Sequence, residues 1–134
     1  MATTVEGPQA LEDPTGTAPD PQGRRVRQFA YYPGCIAEFS SKELDKTTQA
    51  LAPMLDIELL PLPAATCCGA GDIAEAKPNL YLTLNVRILS QAEEMGVDVL
   101  TICNVCTLNL RRANKMVKDD PRLQHLALVR QSRL

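Results

Sequence analysis

Three features of the sequence predict a small α/β domain with a parallel sheet. Short β-prone runs alternate with stretches of helical periodicity, the order that builds parallel sheets through right-handed crossovers. Each of the three β-prone runs leads into a cysteine: Cys35, then Cys67 and Cys68, then Cys103 and Cys106. Spacers of 31 and 34 residues separate the three cysteine motifs, so the intervening chain must fold to bring the thiols together. In an open α/β sheet, ligands bind outside the carboxyl ends of the strands, and that edge would collect all five cysteines.

The first run, Val26 to Tyr32, carries Val, Phe and two Tyr before the turn signal Pro33-Gly34, which predicts a strand. Ser40 stands three residues before Glu43, the spacing of a capping box. Leu44, Thr48, Leu51 and Leu55 follow at near-helical intervals, predicting a helix over about 41–54 with Pro53 near its end. Ile57-Glu58-Leu59-Leu60 predicts a short strand, closed by Pro61 and Pro63. Pro78 suits the first position of a helix; Leu80, Leu84, Ile88, Ala92 and Met95 mark its expected buried face, and Gly96 its stop. Val97 to Ile102 predicts the third strand, and a third helix runs from about Thr107 to Lys118 before Asp119-Asp120-Pro121.

Composition sets the domain boundaries. Four of the ten prolines fall within the first 22 of the 134 residues, among Thr, Gly, Gln and Asp with little to bury. That is the composition of a disordered arm, assigned to 1–25. The folded domain is expected over 26–121, and a chain of that size buries enough surface for one modest core without staples. The tail, 122–134, has Leu and Val without a clear period and would suit the start of a missing second domain. No basic, apolar opening sequence suggests a secretory leader, so the thiols are expected to stay reduced in a cytoplasmic setting. No apolar run reaches the roughly 20 residues of a membrane span. The formal net charge of −2 offers no general attraction to nucleic acid or anionic lipid, which leaves membrane contact to partners.

Five thiols in this pattern point to a metal site. A thiolate ligand loses its proton from a free pKa near 8.5, so a cluster of them needs a cation or oriented N–H groups. Helix N-termini supply such groups, and Gly34, Gly69 and Gly71 let backbone approach sulfur closely. Five thiolates exceed the four of a zinc tetrahedron or a cubane cluster. One cysteine is therefore spare, or the centre is not a simple four-ligand one. Zinc, a metal-free Cys103/Cys106 redox pair opening a helix, and inert buried thiols are the competing readings.

The motifs Tyr32-Pro33-Gly34-Cys35, Cys67-Cys68-Gly69 and Cys103-Asn104-Val105-Cys106 together resemble the cysteine-rich CCG domain. This domain occurs twice in one of the subunits of heterodisulfide reductase and in related subunits of an unusual class of succinate dehydrogenase and of other Fe–S oxidoreductases. The similarity spans about 30–115. It implies a three-layer, Rossmann-like fold with Cys35, Cys67, Cys68, Cys103 and Cys106 as ligands of a noncubane [4Fe-4S] cluster, or of zinc, as one of the paired domains holds in some relatives. It also implies an oxidoreductase subunit, not necessarily active alone, relaying electrons from flavoprotein or Fe–S partners to a disulfide or a quinone. Family members carry two such domains and this chain has one, so the resemblance implies a homodimer, a separate second half, or a truncated chain.

The remaining polar and aromatic candidates read more plainly. His125, the sole histidine, is far in sequence from the thiols. Tyr31 and Tyr32 are expected to pack within their strand, and Arg24, Arg25 and Arg27 to form a solvated flank. Arg111 and Arg112 belong to the exposed side of the third helix. Asp72 and Glu75 stand where they could cap the loop after Gly69, and no second carboxylate is placed for acid–base work.

Overall fold

The computed structural model describes residues 26–123 together with Gly23. The predicted arm apart from Gly23, His125 and nearly all of the predicted tail lie outside the described residues. The elements run β1 (Arg27–Tyr32), α1 (Cys35–Phe39), α2 (Lys42–Leu51) continued by a 3-10 turn (Ala52–Leu55), β2 (Ile57–Pro61), α3 (Asp72–Ala76), α4 (Pro78–Met95), β3 (Asp98–Thr101) and α5 (Asn104–Asp119). The strands pair in the order β2-β1-β3, all parallel. Phe29 at the centre stands opposite Leu59 on one side and Asp98 on the other. The predicted α/β class and all three predicted strands are present, with β3 trimmed by one residue at each end.

The two faces of the sheet are covered unequally. Because side chains alternate along a strand, Ala30 and Tyr32 share one face. There they join Leu62, Ile88, Ala92 and Leu110 in the main core, beneath α4 and α5. Burying a side chain such as Ile88, which has no exposed surface, contributes about 1.5–3 kcal/mol. A smaller cluster of Leu82, Val86 and Ala113 joins α4 to α5. On the other face lies α2, which has no buried residue. It is held by the Tyr31 hydroxyl donating to Asp45 Oδ1 at 2.7 Å and by Ala52, which follows it and is buried.

Three local expectations are corrected. The capping box is not formed: Ser41 is the N-cap of α2 and no side chain caps it. The α2 stripe does not form a core face, since Leu44, Leu51 and Leu55 are exposed and Thr48 is half-buried. On α4 the expected stripe is rotated: Leu80 and Met95 are exposed, while Tyr81, Leu82, Asn85 and Val86 are buried with Ile88 and Ala92. The physical reason is that α4 serves two neighbours, α5 through Tyr81, Leu82 and Val86 and the Cys67-Cys68-Gly69 loop through Asn85. Pro78 and Gly96 bound α4 as predicted, with Gly96 in the left-handed conformation at φ 69°. Two short helices, α1 and α3, were not foreseen, and α5 starts three residues earlier than expected.

Candidate metal centre

All five cysteines emerge at the carboxyl edge of the sheet and meet there. The first loop is set by Gly34, whose φ of 82° and ψ of 154° belong to a region essentially closed to other residues. A Cβ at this position would lie 3.0 Å from Cys106 Sγ and 3.4 Å from Cys103 Cβ. The backbone after β1 therefore packs directly on the CxxC turn, and Cys35 begins α1 beside it. Its Sγ is 3.8 Å from Cys67 Sγ. Burial, followed by the neighbouring Cys67, holds the Cys35 thiol above its ordinary pKa.

The CCG loop bridges an open and a closed half. Cys67 is exposed and its sulfur accepts from the Gly69 N–H at 3.4 Å. Cys68 is 2% exposed, with Sγ 3.5 Å from Cys106 Sγ and 3.4 Å from Asn109 Nδ2. Asn85, with no exposed surface, clamps this loop by donating from Nδ2 to the Cys68 carbonyl at 2.7 Å and to the Tyr81 carbonyl at 2.8 Å. Its own Oδ1 has no protein partner, a buried acceptor left unmet at about 1–3 kcal/mol. The Tyr32 hydroxyl donates to the Thr66 carbonyl at 2.7 Å, fixing the entry to the loop. Burial first, then nearby Cys106, Cys68 and Cys67, push the Tyr32 phenol well above its ordinary pKa.

The CxxC motif forms the first turn of α5. Cys103 is the N-cap, and its sulfur accepts from the Cys106 N–H at 3.4 Å, where serine or aspartate would ordinarily place an oxygen. Burial alone would raise the Cys103 thiol, but the backbone N–H groups of Cys106 and Val105 and the Cys106 thiol outweigh it and hold the pKa below its ordinary value. Cys106 is 3% exposed; burial, then its contacts with Cys103 and Cys68, push its thiol far up.

These contacts set the sulfurs in two groups, Cys35 against Cys67, and Cys68 against Cys106 with Cys103 under the Cys106 amide, joined through the adjacent residues Cys67 and Cys68. The donor set is wholly soft sulfur, and three N–H groups already point at it, from Gly69, Cys106 and Asn109. That fits a thiolate-ligated metal group, since N–H donors offset thiolate charge. Among the described residues, no three His, Cys, Asp or Glu side chains converge as ligands of one ion. Asp72 and Glu75 sit in the first turn of α3, where no side chain caps the helix. Arg111 and Arg112 are exposed. Asn85, Asn109 and Tyr81 were missed by the sequence reading; the signal available was an asparagine at a core-facing position of each helix, with Asn109 one turn beyond Cys106.

A parallel α/β domain whose strand ends gather five cysteines is a cysteine-rich domain by construction. The sequence profile of the CCG cysteine-rich domain matches residues 29–111, and the chain belongs to that family. It is 39% identical over 87 residues to the 8-methylmenaquinol:fumarate reductase membrane anchor subunit of Wolinella succinogenes, covering 65% of this chain and 31% of that protein. It is 31% identical over 100 residues to a subunit of the ferredoxin/F420H2-dependent CoB-CoM heterodisulfide reductase of Methanosarcina acetivorans, covering 74% and 33%. A protein of Archaeoglobus profundus that is itself like a heterodisulfide reductase subunit is 26% identical over 97 residues. The chain spans about a third of the length of these curated relatives. No helix among the described residues is long and apolar enough to cross a membrane.

Proposed function

We propose that this chain is an Fe–S cluster-binding redox subunit of a heterodisulfide-reductase-like complex. The observation that carries the reading is the gathering of five sulfurs at one sheet edge with N–H donors aimed at three of them. Cys35, Cys67, Cys68, Cys103 and Cys106 would hold a noncubane [4Fe-4S] cluster, which when bound supplies electron transfer to or from a sulfur or quinone acceptor. The chain's own contribution is to fix these ligands. Gly34 lets the first loop lie against the CxxC turn, Asn85 and Tyr32 pin the CCG loop, and the α5 N-terminus stabilises thiolate charge at Cys103. The exposed Cys67 marks the side from which an acceptor or a partner approaches.

The competing reading is a zinc-stabilised docking module for Fe–S and flavoprotein subunits. A structural zinc needs four ligands around one point, whereas these sulfurs are strung in pairs, which favours a wider, several-iron group. The relatives' names describe subunits of larger assemblies. By that analogy the domain, assigned to 26–121, works with Fe–S and flavoprotein partners and with a second CCG domain or a second copy of itself, in the cytoplasm or at a membrane through those partners. Iron, acid-labile sulfide and zinc per chain, measured on protein prepared without oxygen, test the reading. About four irons and four sulfides are expected. One zinc without sulfide would replace the redox reading by the docking one.

A further inference from the structure

We infer that Asn109 is a positioning residue that tunes the thiol centre through a hydrogen bond to Cys68, an inference that rests on the reading of Cys68 as a cluster ligand. Asn109 is 6% exposed and its Nδ2 lies 3.4 Å from Cys68 Sγ. Which end of the carboxamide faces the sulfur is set from behind. The Tyr81 hydroxyl on α4 lies 3.2 Å from Asn109 Oδ1 and 3.1 Å from its backbone carbonyl, so its single proton is shared between two oxygens of the same residue. A carboxamide turned the other way would set an acceptor against a sulfur that, as a metal ligand, has no proton to give.

The arrangement sets Cys68 apart from its neighbours. Cys67 and Cys103 receive their N–H donors from backbone two and three residues along the chain. Cys68 receives its donor from a side chain 41 residues away, supported by a tyrosine on a third element. Tyr81, Asn109 and Cys68 thus form a buried relay from α4 through α5 to the CCG loop. A donor aimed at a ligand sulfur favours the electron-rich, reduced state of the group the sulfur holds, and hydrogen bonds to sulfur are a recognised lever on Fe–S potentials. Burial strengthens the effect, because the bond acts in a low local dielectric.

The test reconstitutes Asn109→Leu, Tyr81→Phe and the unaltered chain with iron and sulfide without oxygen. It reads iron and sulfide content, melting temperature and the midpoint potential of the bound cluster. Asn109→Leu is expected to retain the cluster and to lower its potential by the equivalent of a tenfold change in the reduced-to-oxidised ratio, about 59 mV for a one-electron couple. Tyr81→Phe, which only frees the carboxamide to turn, is expected to shift the potential in the same direction by less. A loaded Asn109→Leu chain that melts lower at an unmoved potential shows a merely structural role and overturns the inference. Should Asn109→Leu fail to fold, an unmoved potential in loaded Tyr81→Phe overturns it equally. An unaltered chain that takes up no iron overturns the underlying reading and this inference with it, a result distinct from a loaded variant whose potential stays put.

Discussion

The two halves of the thiol centre are built on different terms. Cys68 and Cys106 belong to the main hydrophobic core, packed with Ala30, Tyr32, Ile88 and Leu110, and are 2% and 3% exposed. Cys35 and Cys67 face each other at the rim, half-buried and exposed respectively. The difference teaches that one half of the site doubles as fold, while the other is free to serve chemistry alone. In the closed half a sulfur is also a small apolar side chain, so its loss is felt with or without metal. In the open half a sulfur contributes little packing, so its loss should be felt only in the metal uptake proposed above.

The contact that joins the halves gives the largest expected effect. Gly34 lies between Cys35 and the Cys103/Cys106 turn, and Gly34→Ala demands both a disallowed backbone conformation and a Cβ 3.0 Å from Cys106 Sγ. The conformation alone costs about 1–3 kcal/mol, and the collision adds to it. Urea unfolding of the metal-free, reduced chain should show a loss of about 3 kcal/mol, accompanied by failure to take up metal. A Gly34→Ala chain of unaltered stability would mean that the first loop does not rest on the CxxC turn.

Replacing one cysteine in each half sharpens the contrast. Cys68→Ser puts a hydroxyl in a site with 2% exposure and should cost the metal-free chain about 1–3 kcal/mol. Cys67→Ser, at an exposed position, should leave metal-free unfolding unchanged. Both should abolish metal uptake, and both should lose the added stability that metal confers through ligand-coupled folding. Equal destabilisation of the two metal-free variants would erase the distinction, and retained metal in either would remove that residue from the ligand set.

The same division explains what the sequence made legible. Strand and helix order could be read because β-prone runs and helical periods are local signals, and the strand ends carried the cysteines to one edge by topology alone. The side chains behind the cysteines could not be read in that way. Asn85 and Asn109 each stand among apolar neighbours on a helix face, and only the folded loop shows that one clamps a carbonyl and the other a sulfur. The α2 stripe of Leu44, Leu51 and Leu55 misled because the helix docks through Tyr31, Asp45 and Ala52, contacts without hydrophobic periodicity. Helix α1 was hidden for a related reason. It has five residues and no side-chain cap, and its start is fixed by a glycine dihedral.

The smallest expected effect tests the electrostatics of the two ends of the CxxC motif in the metal-free chain. Cys106 has a raised pKa from burial and Cys103 a lowered one from the N–H groups at the helix start. A raised thiol stabilises the fold only while the unfolded chain also keeps its proton. Its contribution is complete below the ordinary thiol range, about pH 8.5, and declines above it by no more than about 1.4 kcal/mol per pH unit. Cys35, also raised, acts in the same direction. Cys103 works oppositely: its contribution is complete above that range and is lost as pH falls through its own lowered pKa. Metal-free stability should therefore fall between about pH 8.5 and 9.5, before tyrosines ionise, and Cys106→Ala should flatten the decline. At pH 7.5, a haloacetamide should modify Cys103 before Cys106, since the thiolate is the nucleophile and Cys103 is also the more accessible. Stability that holds steady or rises through that alkaline window would show that burial does not keep Cys106 and Cys35 protonated.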